Sequence, residues 1–274
     1  MAEHARHRPP VSVVTGGALG IGGATSRRLA ARGYVVLLVD VDESAAHRTA
    51  AEIVADGGRC HTLVGDVTEA AVVEELARRT EELGGADVLV NNVGDFRPVT
   101  RDFLHSRPEQ WARLHDLNLG HVLHVTHALL PGMVERGRGV VVNNSTVEAF
   151  RGIPGHAVYS AYNAAVSAFT RSLAVEVGGR GVRVVAVAPD LAETEQTPAA
   201  LMVGDKDPER VRTWVPLGRF GQPDEYARVI EFLASDGASY LTGLTVPIDG
   251  GTLAASGWFH RADGKGWTNL PREA

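Results

Sequence analysis

Short, continuously apolar segments alternate along the chain with longer amphipathic ones. Seven valine-rich apolar segments predict strands, at Val11–Thr15, Tyr34–Asp40, His61–Val64, Ala86–Asn91, Val140–Asn144, Val182–Ala188 and Leu244–Ile248. Unbroken apolar character is typical of parallel strands that are covered on both faces. The segments between them predict helices, at Ile21–Arg32, Glu43–Asp56, Glu69–Leu83, Pro108–Glu135, Tyr159–Val177 and Asp224–Ala234. This alternation predicts an α/β fold with one doubly wound parallel sheet.

The length of 274 residues fits one large domain better than two small ones. We expect residues 1–9 to form a flexible tail. The polar stretch 190–222 carries three prolines and interrupts the alternation, which predicts a lid over a binding site. Residues 252–274 form a C-terminal extension, and we expect its tryptophans, Trp258 and Trp267, to cover the lid or a neighbouring subunit.

Charge and cysteine usage restrict the classes of partner. The net charge is −6 and the charges are interspersed, which argues against nucleic-acid and membrane partners. Cys60 is the single cysteine, so no intrachain disulfide is possible. No apolar run is long enough to span a bilayer and no signal peptide precedes the first strand. We therefore expect a cytoplasmic protein.

A glycine-rich turn follows the first predicted strand and leads into a helix. Its glycines are Gly16, Gly20 and Gly22, and Ile21 lies at the start of the helix. Glycines in this context let the backbone turn tightly and approach a pyrophosphate, which the free N–H groups of the helix N-terminus then bind. The pattern predicts a dinucleotide site.

Asp40 ends the second predicted strand, 18 residues after Gly22. A carboxylate at this point accepts hydrogen bonds from the adenosine ribose hydroxyls and repels a 2′-phosphate. No arginine follows it directly, since Val41, Asp42 and Glu43 come next. The sequence therefore favours NAD(H) over NADP(H).

Together with the segment Tyr159-Ser-Ala-Tyr-Asn163, the glycine turn resembles the short-chain dehydrogenase/reductase family, with its TGxxxGxG and YxxxK signatures. The resemblance covers about residues 10–252. It implies a Rossmann-fold oxidoreductase that forms a homotetramer or homodimer. It also implies that Asp66 and Val67 contact the adenine, and that Asn92 and Gly94, in an NNAG-like motif, lie beside the cofactor. Asn91 of that motif is expected to join neighbouring strands through its amide.

The same resemblance assigns the catalytic residues. It implies that Tyr159 is the acid or base for hydride transfer between a carbinol carbon and nicotinamide. Thr146, 13 residues earlier, takes the place of the family's serine, although the adjacent Ser145 is an alternative. Asn118 matches the asparagine that supports a proton-relaying water.

Asn163 departs from the pattern, because the resemblance implies a lysine there. An amide still bonds a ribose hydroxyl, so Tyr159 and Asn163 are both predicted to contact the cofactor. An ammonium about 4 Å from a phenolate contributes about 4 kcal/mol at an effective dielectric near 20, or roughly three pKa units. Without that charge, Tyr159 is expected to be a poor base at neutral pH but a less handicapped proton donor.

Three interpretations of Asn163 follow. In the first, the protein is a slower or reduction-biased oxidoreductase. In the second, another cation substitutes for the lysine, with Arg151 and Lys206 as candidates. In the third, the site has no redox role, and the protein is either a non-redox enzyme, such as an isomerase, dehydratase or cyclase, or an NAD-binding regulator.

Loops around the predicted active site supply the substrate pocket. Its candidate residues are Phe96, Glu148, Phe150, His156 and Trp214, a mixture that suits a small cyclic or secondary-metabolite substrate. Pro189 and Thr194 resemble the family's PGxxxT motif, whose threonine bonds the nicotinamide amide, with Asp190 replacing the glycine. We expect no metal site, because the three histidines at 121, 124 and 127 are poorly placed on one helix to act as ligands.

Overall fold

The computed structural model describes residues 8–99, 101–203, 211–261 and 265–268. Its main sheet has seven parallel strands in the order β3-β2-β1-β4-β5-β6-β7. These are β1 Val11–Thr15, β2 Val35–Asp40, β3 Arg59–Val64, β4 Val88–Asn91, β5 Gly139–Asn144, β6 Val182–Pro189 and β7 Thr245–Ile248. The doubly wound parallel sheet predicted from the sequence is thereby confirmed, and the strand bounds differ by at most two residues.

Helices cover the sheet on both faces. They are α1 Gly20–Ala31, α2 Glu43–Ala55, α3 Ala70–Glu82, α4 Pro108–His115, α5 His121–Glu135, α6 Ala157–Val177, α7 Ala199–Val203, α8 Val211–Trp214 and α9 Pro223–Ala234. One core layer joins α1, α2 and α9 to the sheet, and the other joins α3, α5 and α6 to the opposite face. In the five inner strands β1, β2, β4, β5 and β6, successive apolar residues point into opposite layers, which explains why these strands are apolar without alternation, whereas the edge strand β3 is partly exposed. None of the described helices combines the length and apolar character that a membrane span requires.

The predicted helix Pro108–Glu135 is divided by a π-helical turn at Asp116–Gly120. Asn118 lies in this turn, and its side-chain Nδ2 donates to the Leu114 carbonyl at 2.9 Å. That carbonyl is the acceptor that the backbone N–H of residue 118 would use in a regular α-helix. The periodic sequence pattern does not reveal such a local insertion.

Buried amides link the centre of the sheet. Asn91 at the end of β4 donates from Nδ2 to Thr126 and to Asn143 of β5, both at 2.9 Å. Asn143 in turn donates to Thr170 of α6 at 2.9 Å. The two asparagines are fully buried. The expected role of Asn91 in joining strands is therefore seen in its contacts.

The chain crosses from one side of β1 to the other between β3 and β4. At this reversal of strand order the connections diverge and leave a crevice at the carboxyl ends of the strands. Part of the segment predicted to form a lid borders this crevice, since Leu191, Ala192 and Thr194–Thr197 line it, and Ala192 bridges to Gly221 at the base of the segment. The described part of the C-terminal extension contains a short hairpin of β8 Phe259–His260 and β9 Trp267–Thr268. Trp258 before it is half exposed.

The predicted N-terminal tail falls largely on residues outside the described part. Its last residues are held in place, because Arg8 forms an ion pair with Asp87 at 2.9 Å.

Candidate active site

A cleft of about 780 Å³ occupies the crevice at the carboxyl edge of the sheet. Most of the residues predicted for cofactor binding and catalysis line it, namely Gly16, Gly20, Ile21, Asp40, Asp66, Val67, Asn92, Gly94, Asn118, Thr146, Tyr159, Asn163, Pro189 and Thr194. The fold thus brings together residues from the ends of six strands, β1 to β6, that are up to 178 positions apart in sequence.

The glycine turn forms a cradle that larger residues would fill. Gly16 and Gly20 have positive φ angles of 58° and 51°. A Cβ on Gly22, which lies behind the cleft wall, would come within 1.9 Å of the Gly16 carbonyl oxygen. Helix α1 begins at Gly20 without a side-chain cap from Leu19, so its first N–H groups are left for a ligand. These features fit a dinucleotide phosphate.

Two carboxylates define the nucleotide end of the cleft. Asp40 accepts from the backbone N–H groups of Ala18 at 3.0 Å and Asp42 at 3.1 Å, which holds the carboxylate at the end of β2. Asp66 accepts from Thr68 and, at 3.3 Å, from Arg113. Burial opposes ionisation of Asp66, but these bonds together lower its pKa.

Two asparagines hold the cleft wall through backbone bonds. Asn92 donates to the carbonyls of Thr15 and Gly16 at 3.2 and 3.0 Å, which ties the end of β4 to the glycine turn. Asn118 accepts from the Asp95 N–H at 3.1 Å and donates to the Asp95 carbonyl at 2.8 Å. The π-helical turn thus presents Asn118 to the chain that follows β4.

Thr146 and Tyr159 meet at the catalytic end. Thr146 lies just past β5, where its side chain interacts with the Tyr159 phenol and acts to lower the tyrosine pKa. Ser145 instead donates to the backbone carbonyl of Asn163 at 3.0 Å and contacts Ser167 at 3.4 Å. This geometry favours Thr146 as the partner of Tyr159.

Asn163 lies one helical turn beyond Tyr159 and is 3% exposed. Its Nδ2 donates back to the Tyr159 carbonyl at 3.1 Å. Within the described part of the chain, the side-chain amide of Asn163 makes only this hydrogen bond, and it uses Nδ2 rather than the amide oxygen. An acceptor therefore remains for a hydroxyl in the cleft.

The surroundings of Tyr159 oppose its ionisation. Burial is the largest cause, and negative charge on Glu148, Asp95 and Asp190 adds to it. Together they raise the pKa of Tyr159 to about 12, despite the contact with Thr146. At neutral pH the phenol is therefore protonated.

Arg151 lines the cleft but is engaged by carboxylates. One of its terminal nitrogens donates to Glu148 at 2.9 Å and to Asp190 at 2.8 Å. Its charge is therefore shared between two anions rather than directed at Tyr159. Lys206, the other proposed substitute cation, lies outside the described residues.

Aromatic rings form one wall of the substrate end. Phe96 and His156 contact the Tyr159 ring edge-on, with centroid distances of 6.2 and 6.3 Å. Phe150 and Trp214 do not line the cleft, contrary to expectation. Phe150 is 45% exposed, and Trp214 packs with Phe220 in a separate small cluster. The sequence did not reveal either location, because the position of each side chain depends on how the connections after β5 and β6 fold.

Lid residues reach across the cleft. Gln196 donates to the Gly94 carbonyl at 3.2 Å and to the Asp95 carboxylate at 3.1 Å. Thr194 lies against the glycine turn, since a Cβ on Gly20 would come within 3.2 Å of its methyl group. Asp95 was missed by sequence reasoning. Its position directly after Gly94 was the available signal.

Comparison with known proteins identifies relatives along nearly the whole chain. The family described as enoyl-(acyl carrier protein) reductase matches residues 16–252. The chain is 38% identical to 3-oxoacyl-(acyl carrier protein) reductase from Thermotoga maritima over 250 residues, which are 89% of this chain and 97% of that protein.

Two solved structures resemble the fold along nearly the whole chain. Levodione reductase superposes with a TM-score of 0.84 at 34% identity, covering 91% of this chain and 100% of the other. A variant of actinorhodin polyketide ketoreductase with NADPH gives a TM-score of 0.83 at 30% identity, covering 89% and 97%.

Proposed function

The chain belongs to the short-chain dehydrogenase/reductase family, whose members are oxidoreductases that bind a nicotinamide cofactor, and we propose that it interconverts a carbonyl and a secondary alcohol. One observation carries the proposal: Thr146 and Tyr159 meet in the same cleft as the glycine cradle. A reaction centre and a dinucleotide site are thereby continuous.

Each residue has a role in this reaction. Tyr159 holds the proton at its phenolic oxygen and donates it to the substrate oxygen, while Thr146 orients that oxygen by a hydrogen bond. The nicotinamide, when bound, supplies or accepts the hydride. The glycine cradle with Ile21 would hold the phosphates, Asp66 and Val67 the adenine, and Asn92, Gly94, Pro189 and Thr194 the nicotinamide half. Asn163 would bond the ribose through its free amide oxygen.

The electrostatics favour reduction. A phenol with a pKa of about 12 is protonated at neutral pH, so it carries the proton that reduction needs, and little phenolate is present to act as a base. Reduction of a ketone uses the protonated form, whereas oxidation of an alcohol needs the phenolate. The proposed enzyme is therefore a carbonyl reductase first and an alcohol dehydrogenase only at alkaline pH.

We propose NAD(H) as the cofactor, with Asp40 as the reason. Its carboxylate lines the cleft at the end of β2, where it would bond the ribose hydroxyls and repel a 2′-phosphate. The related ketoreductase structure contains NADPH, so the preference needs a direct test. We expect NADH to bind at least about tenfold tighter than NADPH, and Asp40→Asn to reduce that ratio. Asp42→Asn, two residues on and outside the cleft, serves as the matched control.

The names of the relatives support a ketone on a small cyclic or secondary-metabolite scaffold. The family resemblance supports a homotetramer or homodimer in the cytoplasm. Light scattering coupled to size exclusion would establish the oligomer size.

The test is reduction of the diketone levodione, followed by NADH absorbance. Tyr159→Phe should abolish turnover while leaving NADH binding intact, because only the proton donor is lost. Tyr162→Phe is the matched control on the same helix, since Tyr162 packs against His115 outside the cleft. Equal activity of Tyr159→Phe and the wild type would refute the proposal.

The neutral Asn163 keeps a second function under consideration. A non-redox isomerase, dehydratase or cyclase would form product from a suitable substrate with no change in NADH absorbance. A regulatory protein would bind NADH and never turn over, and its affinity for a partner would depend on the nucleotide. Fluorescence titration with NADH, run beside the absorbance assay, separates these outcomes.

A further inference from the structure

The substrate end of the cleft carries more negative than positive charge. Among the described charged residues that line the cleft, Asp40, Asp66 and Arg113 lie at the nucleotide end and Glu195 lies near Gly20 of the glycine turn, which leaves Asp95, Arg97, Glu148, Arg151 and Asp190 at the substrate end. Arg97 pairs with Asp95 at 2.7 Å, which neutralises both. The remaining group, Glu148, Arg151 and Asp190, contains two carboxylates and one guanidinium. We call it the acidic triad.

The acidic triad is buried and incompletely paired. The side chains of Glu148 and Asp190 are each 9% exposed. A single nitrogen of Arg151 serves both carboxylates, and the second contact to Glu148 is 3.5 Å long. Asp190 Oδ2 also accepts from Thr252, but Oδ1 has no hydrogen-bond partner among the described residues. Buried carboxylates of this kind are costly unless they are paired and hydrogen-bonded.

The triad is adjacent to the reacting groups. Glu148 follows Thr146 by two residues, and its N–H donates to the Thr146 hydroxyl oxygen at 3.3 Å. Asp190 follows Pro189, whose carbonyl accepts from the same hydroxyl at 3.4 Å. Glu148 and Asp190 also line the same cleft as Thr146 and Tyr159, and both act electrostatically on the Tyr159 phenol. A substrate whose carbonyl oxygen faced Thr146 would therefore place its neighbouring substituent in the part of the cleft that these carboxylates border.

Resting on the proposed function, the geometry points to a substrate that carries a cationic nitrogen near its carbonyl: an amino ketone, or the amino alcohol formed from it. We propose that Asp190 and Glu148 determine this specificity. An ammonium group brings three donors and one positive charge, so it balances the triad and bonds the free Oδ1 of Asp190. A carboxylate at the same place would meet like charge.

Three ketones with one scaffold test the charge directly. These are α-aminoacetophenone (2-amino-1-phenylethanone) as the cation, α-hydroxyacetophenone (2-hydroxy-1-phenylethanone) as its neutral counterpart, and benzoylformate as the anion. With NADH, at a mildly acidic pH that keeps the amine protonated, we expect kcat/KM for the cation to exceed that for the neutral ketone by about tenfold or more. The anion should be the poorest substrate. Equal values for the cation and the neutral ketone would overturn the proposal.

Variants locate the effect. Asp190→Asn and Glu148→Gln should each lower the ratio of cation to neutral ketone, whereas Asp56→Asn, on an exposed helix end, should leave the ratio unchanged. A ratio that survives both triad substitutions would remove the triad from the explanation.

The neutral ketone separates this inference from the proposed function. Its reduction without preference for the cation rejects only the inference. If no ketone is reduced, the proposed function fails, and calorimetric binding of α-aminoacetophenone and α-hydroxyacetophenone to the protein with NAD⁺ still decides the charge preference. Tighter binding of the amine supports the triad as a cation site, and equal binding rejects it.

Discussion

Asn163→Lys restores the one charge that the family signature leads one to expect. Asn163 is 3% exposed and lies one turn from Tyr159, on the helix face that lines the cleft. A lysine there would place its ammonium in the same cleft, about 4 Å from the phenolic oxygen. At an effective dielectric near 20 this attraction contributes about 4 kcal/mol to the phenolate. The pKa of Tyr159 should therefore fall by about three units from its value of about 12.

The size of the effect differs between alcohol oxidation and ketone reduction. Alcohol oxidation needs the phenolate, so its rate rises about tenfold per pH unit below the pKa of Tyr159. Lowering that pKa moves the rising limb of the pH profile towards acid by about three units and raises the neutral-pH rate. Ketone reduction uses the neutral phenol, which stays predominant at pH 7 in both proteins, so its rate changes little.

The assay is kcat/KM for both directions across pH, with NADH fluorescence titration as a check on cofactor binding. Asn163→Met is the control, since methionine is long and flexible like lysine but uncharged. The electrostatic reasoning is refuted if the lysine variant binds NADH and folds normally yet shows the wild-type pH profile. It is also refuted if the methionine variant gives the same shift.

Three further predictions concern stability. Gly22→Ala should weaken NADH binding and destabilise the fold by about 1–3 kcal/mol, because the added Cβ would overlap the Gly16 carbonyl. Gly178→Ala is the control, since a Cβ added there meets no atom within 4 Å. Urea unfolding and NADH titration measure the two effects. Arg151→Met should cost about 3 kcal/mol in urea unfolding, because two carboxylates stay buried without a cation, and adding Asp190→Asn should restore part of it. Tyr226 donates to the Asp190 carbonyl, and burial, as the largest cause, raises the folded pKa of Tyr226 above its unfolded value of about 10. The contribution of the protonated Tyr226 to the free energy of unfolding is thus complete below about pH 10 and is lost as the pH rises further. Tyr226→Phe should therefore flatten the alkaline fall in the free energy of unfolding. An unchanged slope would contradict this.

The sheet was predictable because its inner strands are short valine-rich segments. The glycine cradle was predictable because its glycines, at the expected spacing, lie between a strand and a helix. Other features depend on contacts that periodicity does not encode. The π-helical turn contains a hydrogen bond from the Asn118 side chain to the Leu114 carbonyl, which no sequence pattern indicates. Trp214 was assigned to the pocket, yet it packs on Phe220 because the path of the lid brings those rings together.

The sequence indicated each residue of the acidic triad separately but not that the three residues form one group. Glu148 was predicted to line the pocket, and Asp190 was noted as a replacement for glycine. Arg151 was considered as a substitute for the missing lysine. Its position between the two carboxylates depends on how the end of β6 meets the loop after β5, which no local pattern specifies.

The amide pair of Asn91 and Asn143 has a consequence for how the chain folds. Parallel strands have no hairpin turn to set their alignment, and valines are nearly interchangeable from one position to the next. If β5 slid by one residue along β4, Asn143 would point into the opposite layer and both amides would lose their buried partners, at a cost of about 1–3 kcal/mol for each unsatisfied group. The two asparagines therefore favour the native register of β4 and β5, and the geometry of the cleft depends on that register.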